Sequence, residues 1–144
     1  MIVVDTTVLV YAVGDNHSLR DSCRSLIDLV AEGRVRATTT VEVVQEFAHV
    51  RSRRRPRDDA VRNARSYAVG LSPLISPDSE DLMEGLTLYE ASPRIGAFDA
   101  VLAAAAKRRG WALVSTDDGF SEISGLVHLN PALPEFLQMV IRSG

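Results

Sequence analysis

"MIVVDTT", residues 1–7, is the stretch on which the fold turns. Ile2, Val3 and Val4 form an unbroken β-branched run, the pattern of a strand covered on both faces. Asp5 follows at once, and Thr6 and Thr7 come after it. A carboxylate at the end of such a strand is costly to bury unless it is paired or bound to a metal. A turn-forming or helix-capping aspartate would also account for Asp5 taken by itself.

Outward from this strand (residues 2–5) the chain alternates. "TTVLVYAV" reads as a short helical segment. Residues 18–32 place Leu19, Cys23, Leu26, Ile27 and Val30 at three- and four-residue intervals, an amphipathic helix stopped by Gly33. A strand is expected at 35–38. Thr39 followed by Glu42 reads as a capping box that opens the next helix. Residues 57–69 form another helix, and "LSPLIS" carries a brief strand. Pro77 suits a first helical turn before "DSEDLMEGLTLYEA". "AFDAVLAAAAKRRG" is the clearest helix, with an alanine-rich face, basic residues in its last turn and a glycine terminator. "WALVST" and "LVHLN" (126–130) complete the strands. This alternation predicts a mostly parallel sheet with helices on both faces, in one domain spanning 1–144. Ligands in such sheets bind beyond the carboxyl ends of the strands, where both Asp5 and Asp117 fall.

The 144 residues carry a net charge of −3, with 46% hydrophobic and 24% charged residues, as in a globular chain with a sizeable core. The single cysteine, Cys23, excludes an intramolecular disulfide and a cysteine zinc site, and a reducing cytoplasm is the expected compartment. Asp5 interrupts the first apolar run, which argues against a signal peptide, and no uncharged stretch is long enough to span a bilayer. Fifteen of the sixteen basic residues are arginine, and five of these crowd into "RSRRRPR" (51–57). Such a cluster on an acidic chain is compatible with a polyanionic partner, and equally with a solvated helix end.

Four acids stand out. Asp5 and Asp117 each end an apolar strand, while Asp118 precedes Gly119 and suits a turn. Glu46 lies about 40° from Val50 on the helical wheel, at the border of an apolar arc of Val41, Val43, Val44, Phe47, Ala48 and Val50. Glu42 points to the polar side with Gln45 and His49. Asp99 opens the alanine-rich helix, a position the helix dipole favours in any case. Ala103 and Ala106 share its side and let that helix approach a neighbour closely. Four converging carboxylates would repel one another, and a hard divalent cation such as Mg²⁺ or Mn²⁺ would resolve the repulsion. No Walker A loop, GxGxxG turn, GxSxG elbow or Cys/His zinc spacing is present.

With these acids in order, the chain resembles the PIN-domain ribonucleases, and among them the VapC toxins of bacterial toxin–antitoxin pairs. The matching stretches are "VVDTT" at Asp5, "TTTVEVVQEF" at Glu46, "GAFDAVLAAAAKRRG" at Asp99 and "LVSTDDGF" at Asp117. The resemblance implies a PIN-like three-layer α/β/α fold around a mostly parallel sheet. It implies Asp5, Glu46, Asp99 and Asp117 as catalytic metal ligands for Mg²⁺ or Mn²⁺, and cleavage of RNA that inhibits translation. It further implies a VapB-type antitoxin that lays a C-terminal segment across the active groove, and a homodimer. Thr6 and Ser115 or Thr116 would orient the carboxylates. Asp118 is a second candidate beside Asp117. Arg51, Arg53, Arg54, Arg55 and Arg94 are candidates for contact with RNA phosphates.

Two other phosphate-handling classes fit poorly. A haloacid-dehalogenase-type phosphatase needs Asp-x-Asp, and Thr7 stands at the second position. A receiver domain needs a lysine after a later strand, and Lys107, the only lysine, lies in a helix. A catalytically silent PIN-like module that binds RNA or protein is the alternative from a different functional class.

Overall fold

Ile2, Val3 and Val4 are fully buried, as their β-branched run requires. The computed structural model describes residues 1–144. Its strands are β1 (Ile2–Val4), β2 (Ala37–Thr38), β3 (Ala112–Val114) and β4 (His128–Leu129). Its helices are α1 (Thr6–Ala12), α2 (Arg20–Ala31), α3 (Val41–Ser52), α4 (Arg57–Gly70), α5 (Ser79–Ala91), α6 (Ala97–Arg108) and α7 (Phe136–Ser143), with a 3₁₀ turn at Asp118–Glu122. The strands form one all-parallel sheet in the order β2–β1–β3–β4, with Ile2 opposite both Ala37 and Ala112 and Leu113 opposite His128. Helices flank it, giving the α/β/α architecture expected from the alternation. One continuous core runs from Ile2 to Val140.

The strand order positions the site. From β1 the chain moves to β2 on one side, and it later joins β3 on the other. Loops leaving β1 and β3 therefore diverge, and a crevice opens between their carboxyl ends. Asp5 and the segment Ser115–Asp117 lie at that switch point.

Several local expectations are corrected. Thr40, not Thr39, caps α3, its Oγ1 accepting from the Val43 N–H at 3.2 Å. Thr39 is buried and donates its hydroxyl to the Val4 carbonyl at 2.6 Å, tying α3 to the end of β1. Glu42 is left exposed in the first turn, and Val41, placed in the apolar arc, is exposed as well. Asp78 caps α5, in a capping box with Asp81, so Pro77 lies just outside the helix rather than in its first turn. "LSPLIS" contributes a single parallel bridge, Thr40 to Ile75, rather than a strand. Pro73 has no N–H to extend the ladder. Helix α7 (Phe136–Ser143) adds an element beyond the last expected strand. It is only eight residues long, yet it buries Phe136 and Val140, and its Ser143 carbonyl accepts from the Met1 amino group at 2.8 Å.

Helices α5 and α6 approach closely because small residues face each other. Ala100, Ala103, Ala104, Ala105 and Ala106 are all buried, and a β-carbon built on Gly85 of α5 would lie 2.7 Å from Val101 Cα. The pair is clamped by Asp81, which is fully buried yet accepts from Arg109 at 3.0 Å and also pairs with Arg108. The basic last turn of α6 thus does more than complement a helix dipole. We predict that Gly85→Ala costs about 1–3 kcal/mol by forcing the helices apart, measured by denaturant unfolding. A variant as stable as the parent would contradict the close packing.

Candidate active site

Asp5 ends β1 as the N-cap of α1, so the strand and the helix together fix its side chain. Its Oδ2 accepts from Thr7 Oγ1 at 2.6 Å, Ser115 Oγ at 2.7 Å and the Thr7 N–H at 3.4 Å. The two hydroxyls are themselves held. Thr7 Oγ1 accepts from the Thr116 N–H at 3.3 Å, and Ser115 Oγ accepts from the Asp117 N–H at 3.0 Å. Each hydroxyl therefore directs its only proton at Asp5. All these donors fall on Oδ2, and no buried side-chain polar atom lacks a partner. Oδ1 takes no part in these three bonds, and Asp5 lines a cleft.

Three more carboxylates reach the same place from other elements. Glu46, on α3, accepts from Thr6 Oγ1 at 2.6 Å. Asp99, in the first turn of α6, accepts from the Gly96 N–H at 3.3 Å. Asp117, after β3, accepts from the Gly119 N–H at 2.8 Å through Oδ1. All four line one cleft of about 300 Å³, together with Thr6, Thr7, Val10, Tyr11, Val50, Arg54 and Phe120. No three of them are drawn tightly enough to enclose a single ion.

The electrostatics reflect this crowding. Burial pushes the Asp5 carboxyl above its usual range, against the opposing pull of the Thr7 and Ser115 hydrogen bonds. Asp99 is pushed up to about 6, by burial first and then by the negative charges of Asp5, Glu46 and Asp117. These residues supply only hard oxygen donors, and their shared charge is of the kind a divalent cation offsets.

The structure also sorts the supporting residues. Thr6 and Ser115 each donate a hydroxyl to a carboxylate, whereas Thr116 contributes its backbone N–H. Thr7 was missed, although it makes both a side-chain and a backbone bond to Asp5; a hydroxyl two residues after a capping aspartate was the available signal. Asp118 accepts from Asn130 Nδ2 at 2.6 Å and does not line the cleft, so it braces the loop after β3. His128 on β4 bonds the Ser115 carbonyl at 3.0 Å.

The arginines divide likewise. Arg51, with a side chain only 15% exposed, donates to Asp59 at 2.6 Å and to the Val13 carbonyl at 3.0 Å, joining α3, α4 and the end of α1. Arg55 pairs with Asp15 at 2.5 Å and Arg94 with Glu122 at 2.7 Å. Arg53 is exposed and lies outside the cleft, while Arg54 lines it. A larger groove of about 730 Å³ continues from Asp5, Glu46 and Asp99 between α3 and the α5–α6 pair, where Leu82, Leu86 and Phe98 stand exposed. No helix is long and apolar enough to cross a membrane.

Known proteins share the fold and sequence of this chain. Residues 2–126 match the PIN domain family. The chain is 52% identical to Ribonuclease VapC7 of Mycobacterium tuberculosis over 133 residues, 91% of this chain and 92% of that protein. It is 32% identical to Ribonuclease VapC23 of Mycobacterium tuberculosis over 120 residues, 82% of this chain and 93% of that one. Among solved structures, DNA-bound VapBC from Salmonella typhimurium superposes with a TM-score of 0.72 at 14% identity, covering 91% of this chain and 98% of that chain. VapBC2 from Rickettsia felis, bound to a promoter DNA fragment, gives 0.69 at 22% identity, covering 90% and 98%. These structural likenesses speak to the fold, and the sequence relatives to the lineage: the chain belongs to the PIN-domain family, among the VapC ribonucleases.

Proposed function

We propose that this protein is a toxin endoribonuclease that hydrolyses RNA phosphodiester bonds with Mg²⁺ or Mn²⁺ held by Asp5, Glu46, Asp99 and Asp117. The observation that carries this reading is the convergence of four carboxylates, from the ends of β1 and β3 and from α3 and α6, on one cleft. The donor set fits a hard cation: every candidate ligand atom is an oxygen, and the hydroxyl bonds to Asp5 fall on Oδ2 alone. The ion would supply Lewis-acid activation of the attacking water and offset charge on the phosphodiester. Thr7 and Ser115 hold Asp5 ready for it, and Thr6 does the same for Glu46.

The same reading extends to the partners. A VapB-type antitoxin would neutralise the enzyme by laying a chain segment along the apolar groove beside the acids. The groove's volume, its exposed Leu82, Leu86 and Phe98, and its continuity with Asp5 and Asp99 support this. A homodimer and a cytoplasmic location complete the proposal. Residues 1–144 act as a single PIN domain in this account, since α7 packs onto the same core as β1.

The test is cleavage of labelled cellular RNA by purified protein in Mg²⁺, Mn²⁺ or EDTA. The wild type should yield discrete fragments only with metal. Asp5→Asn should lose more than about 100-fold, beyond what an orienting residue alone costs, while staying folded. RNA binding without metal-dependent cleavage would instead identify a catalytically silent module.

Stability carries a second signature. Asp99 binds its proton more tightly when folded than when unfolded, because its carboxyl is raised to about 6. Its contribution is therefore full below about pH 4 and is lost as pH rises through about 6. In EDTA the melting temperature should fall over that range. Asp99→Asn, which keeps an oxygen for the Gly96 N–H, should raise the neutral-pH melting temperature by about 2–4 °C and flatten the pH dependence. Saturating Mg²⁺ should stabilise the wild type and not the variant. A wild type insensitive to pH and Mg²⁺ would contradict a strained acid cluster.

A further inference from the structure

Two side chains in the acid cleft have no task in the hydrogen-bond ring around Asp5. Arg54 lines the cleft. Its neighbours Arg51 and Arg55 are both committed to ion pairs, with Asp59 and Asp15, whereas Arg54 has no carboxylate within 4.0 Å. Arg54 is thus an exposed, unpaired cation on the cleft that the four acids line, and the gap of more than 4.0 Å to any carboxylate leaves space for a phosphate. Tyr11 lines the same cleft, and its hydroxyl has no hydrogen-bond partner and is not sealed from solvent. Val10 and Val50 are the apolar residues on α1 and α3 that line the cleft with them.

Tyr11 is unusually well fixed for a residue at a cleft rim. Its ring stacks on His17, with centroids 4.3 Å apart and an interplanar angle of 18°. His17 is anchored in turn, its Nδ1 accepting from the Leu19 N–H at 3.1 Å. The intervening loop is pinned by Arg51 of α3 on the Val13 carbonyl and by Arg55, in the turn after α3, on Asp15. Two of the five clustered arginines thus build a support beside the acids, and of the other three only Arg54 lines the cleft.

We propose that Arg54 and the Tyr11 hydroxyl form a phosphate subsite for the nucleotide next to the scissile bond. This rests on the ribonuclease reading above. A guanidinium fork matches two phosphate oxygens at once, and a phenolic O–H donates to a third. The subsite places one backbone phosphate on the α1–α3 side of the cleft, with the scissile phosphate over the carboxylates.

The test measures kcat/KM on a fluorescein-labelled single-stranded RNA of mixed sequence, in Mg²⁺, as NaCl is varied. Fluorescence anisotropy on the same RNA in EDTA reads binding independently of cleavage. Arg54→Gln should lower kcat/KM about 10- to 100-fold and make log affinity against log salt shallower by about 0.7, the loss of one single-strand phosphate contact. Arg54→Lys should restore the salt slope but only part of the rate. Tyr11→Phe should lower the rate several-fold with the slope unchanged. Arg57→Gln, an exposed arginine outside the cleft, removes the same charge and should behave as wild type. An Arg54→Gln variant with wild-type rate and slope, or an Arg57→Gln variant equally impaired, would overturn the subsite while leaving the ribonuclease standing. A wild type that cleaves no RNA would overturn the ribonuclease reading, and the anisotropy would still decide whether Arg54 grips phosphate.

Discussion

Asp5 stays buried at the end of a fully buried strand because two hydroxyls direct their protons to the same oxygen. Thr7 and Ser115 come from opposite sides of the crevice, one from α1 and one from the end of β3. Each is oriented by a backbone N–H of the β3 loop. Hydrogen bonds to a charged acceptor contribute about 1.5–3 kcal/mol each, enough to offset much of the desolvation that raises this carboxyl. The same bonds lock the β1 and β3 ends together, and they leave the second oxygen of Asp5 outside that pair of hydroxyl contacts. Fold and candidate site are in this sense one interaction.

The remaining acids depend on how closely their helices can approach this point. Thr39 ties α3 to the Val4 carbonyl, one residue before Asp5, and Thr6 then reaches Glu46 directly. Asp99 arrives through α6, whose buried alanines and contact with Gly85 let the α5–α6 pair pack without bulky side chains between. The buried Asp81, gripped by Arg108 and Arg109, anchors the opposite end of that pair. Charge is therefore used twice: paired where it holds helices, and unpaired where four carboxylates share a cleft.

Much of this was legible in the sequence because it is written in local pattern. The β-branched run before Asp5, the apolar strand before Ser115 and the alanine-rich helix after Asp99 each predict their own structure. Glu46 could be placed on its helix by angle alone, and it does meet Thr6. What escaped detection depends on long-range partners. The choice of Thr40 over Thr39 as cap follows from Thr39 being drawn to Val4. The structural use of Arg51 and Arg55 is set by Asp59 and Asp15, which no local rule links to them. Thr7 was visible only as a hydroxyl, and its importance comes from Thr116, over a hundred positions away. Helix α7 is short enough that its packing, not its periodicity, defines it.

The most direct measurement of the central claim is the Mn²⁺ affinity of the wild type and of Thr7→Val, followed by the loss of the free Mn²⁺ signal in electron paramagnetic resonance. Valine keeps the shape of threonine but removes the proton aimed at Asp5. If hydroxyl-held Asp5 organises the cleft for a cation, the wild type binds Mn²⁺ and the folded variant binds it about 10- to 100-fold more weakly. Equal affinity in the two proteins would contradict the account.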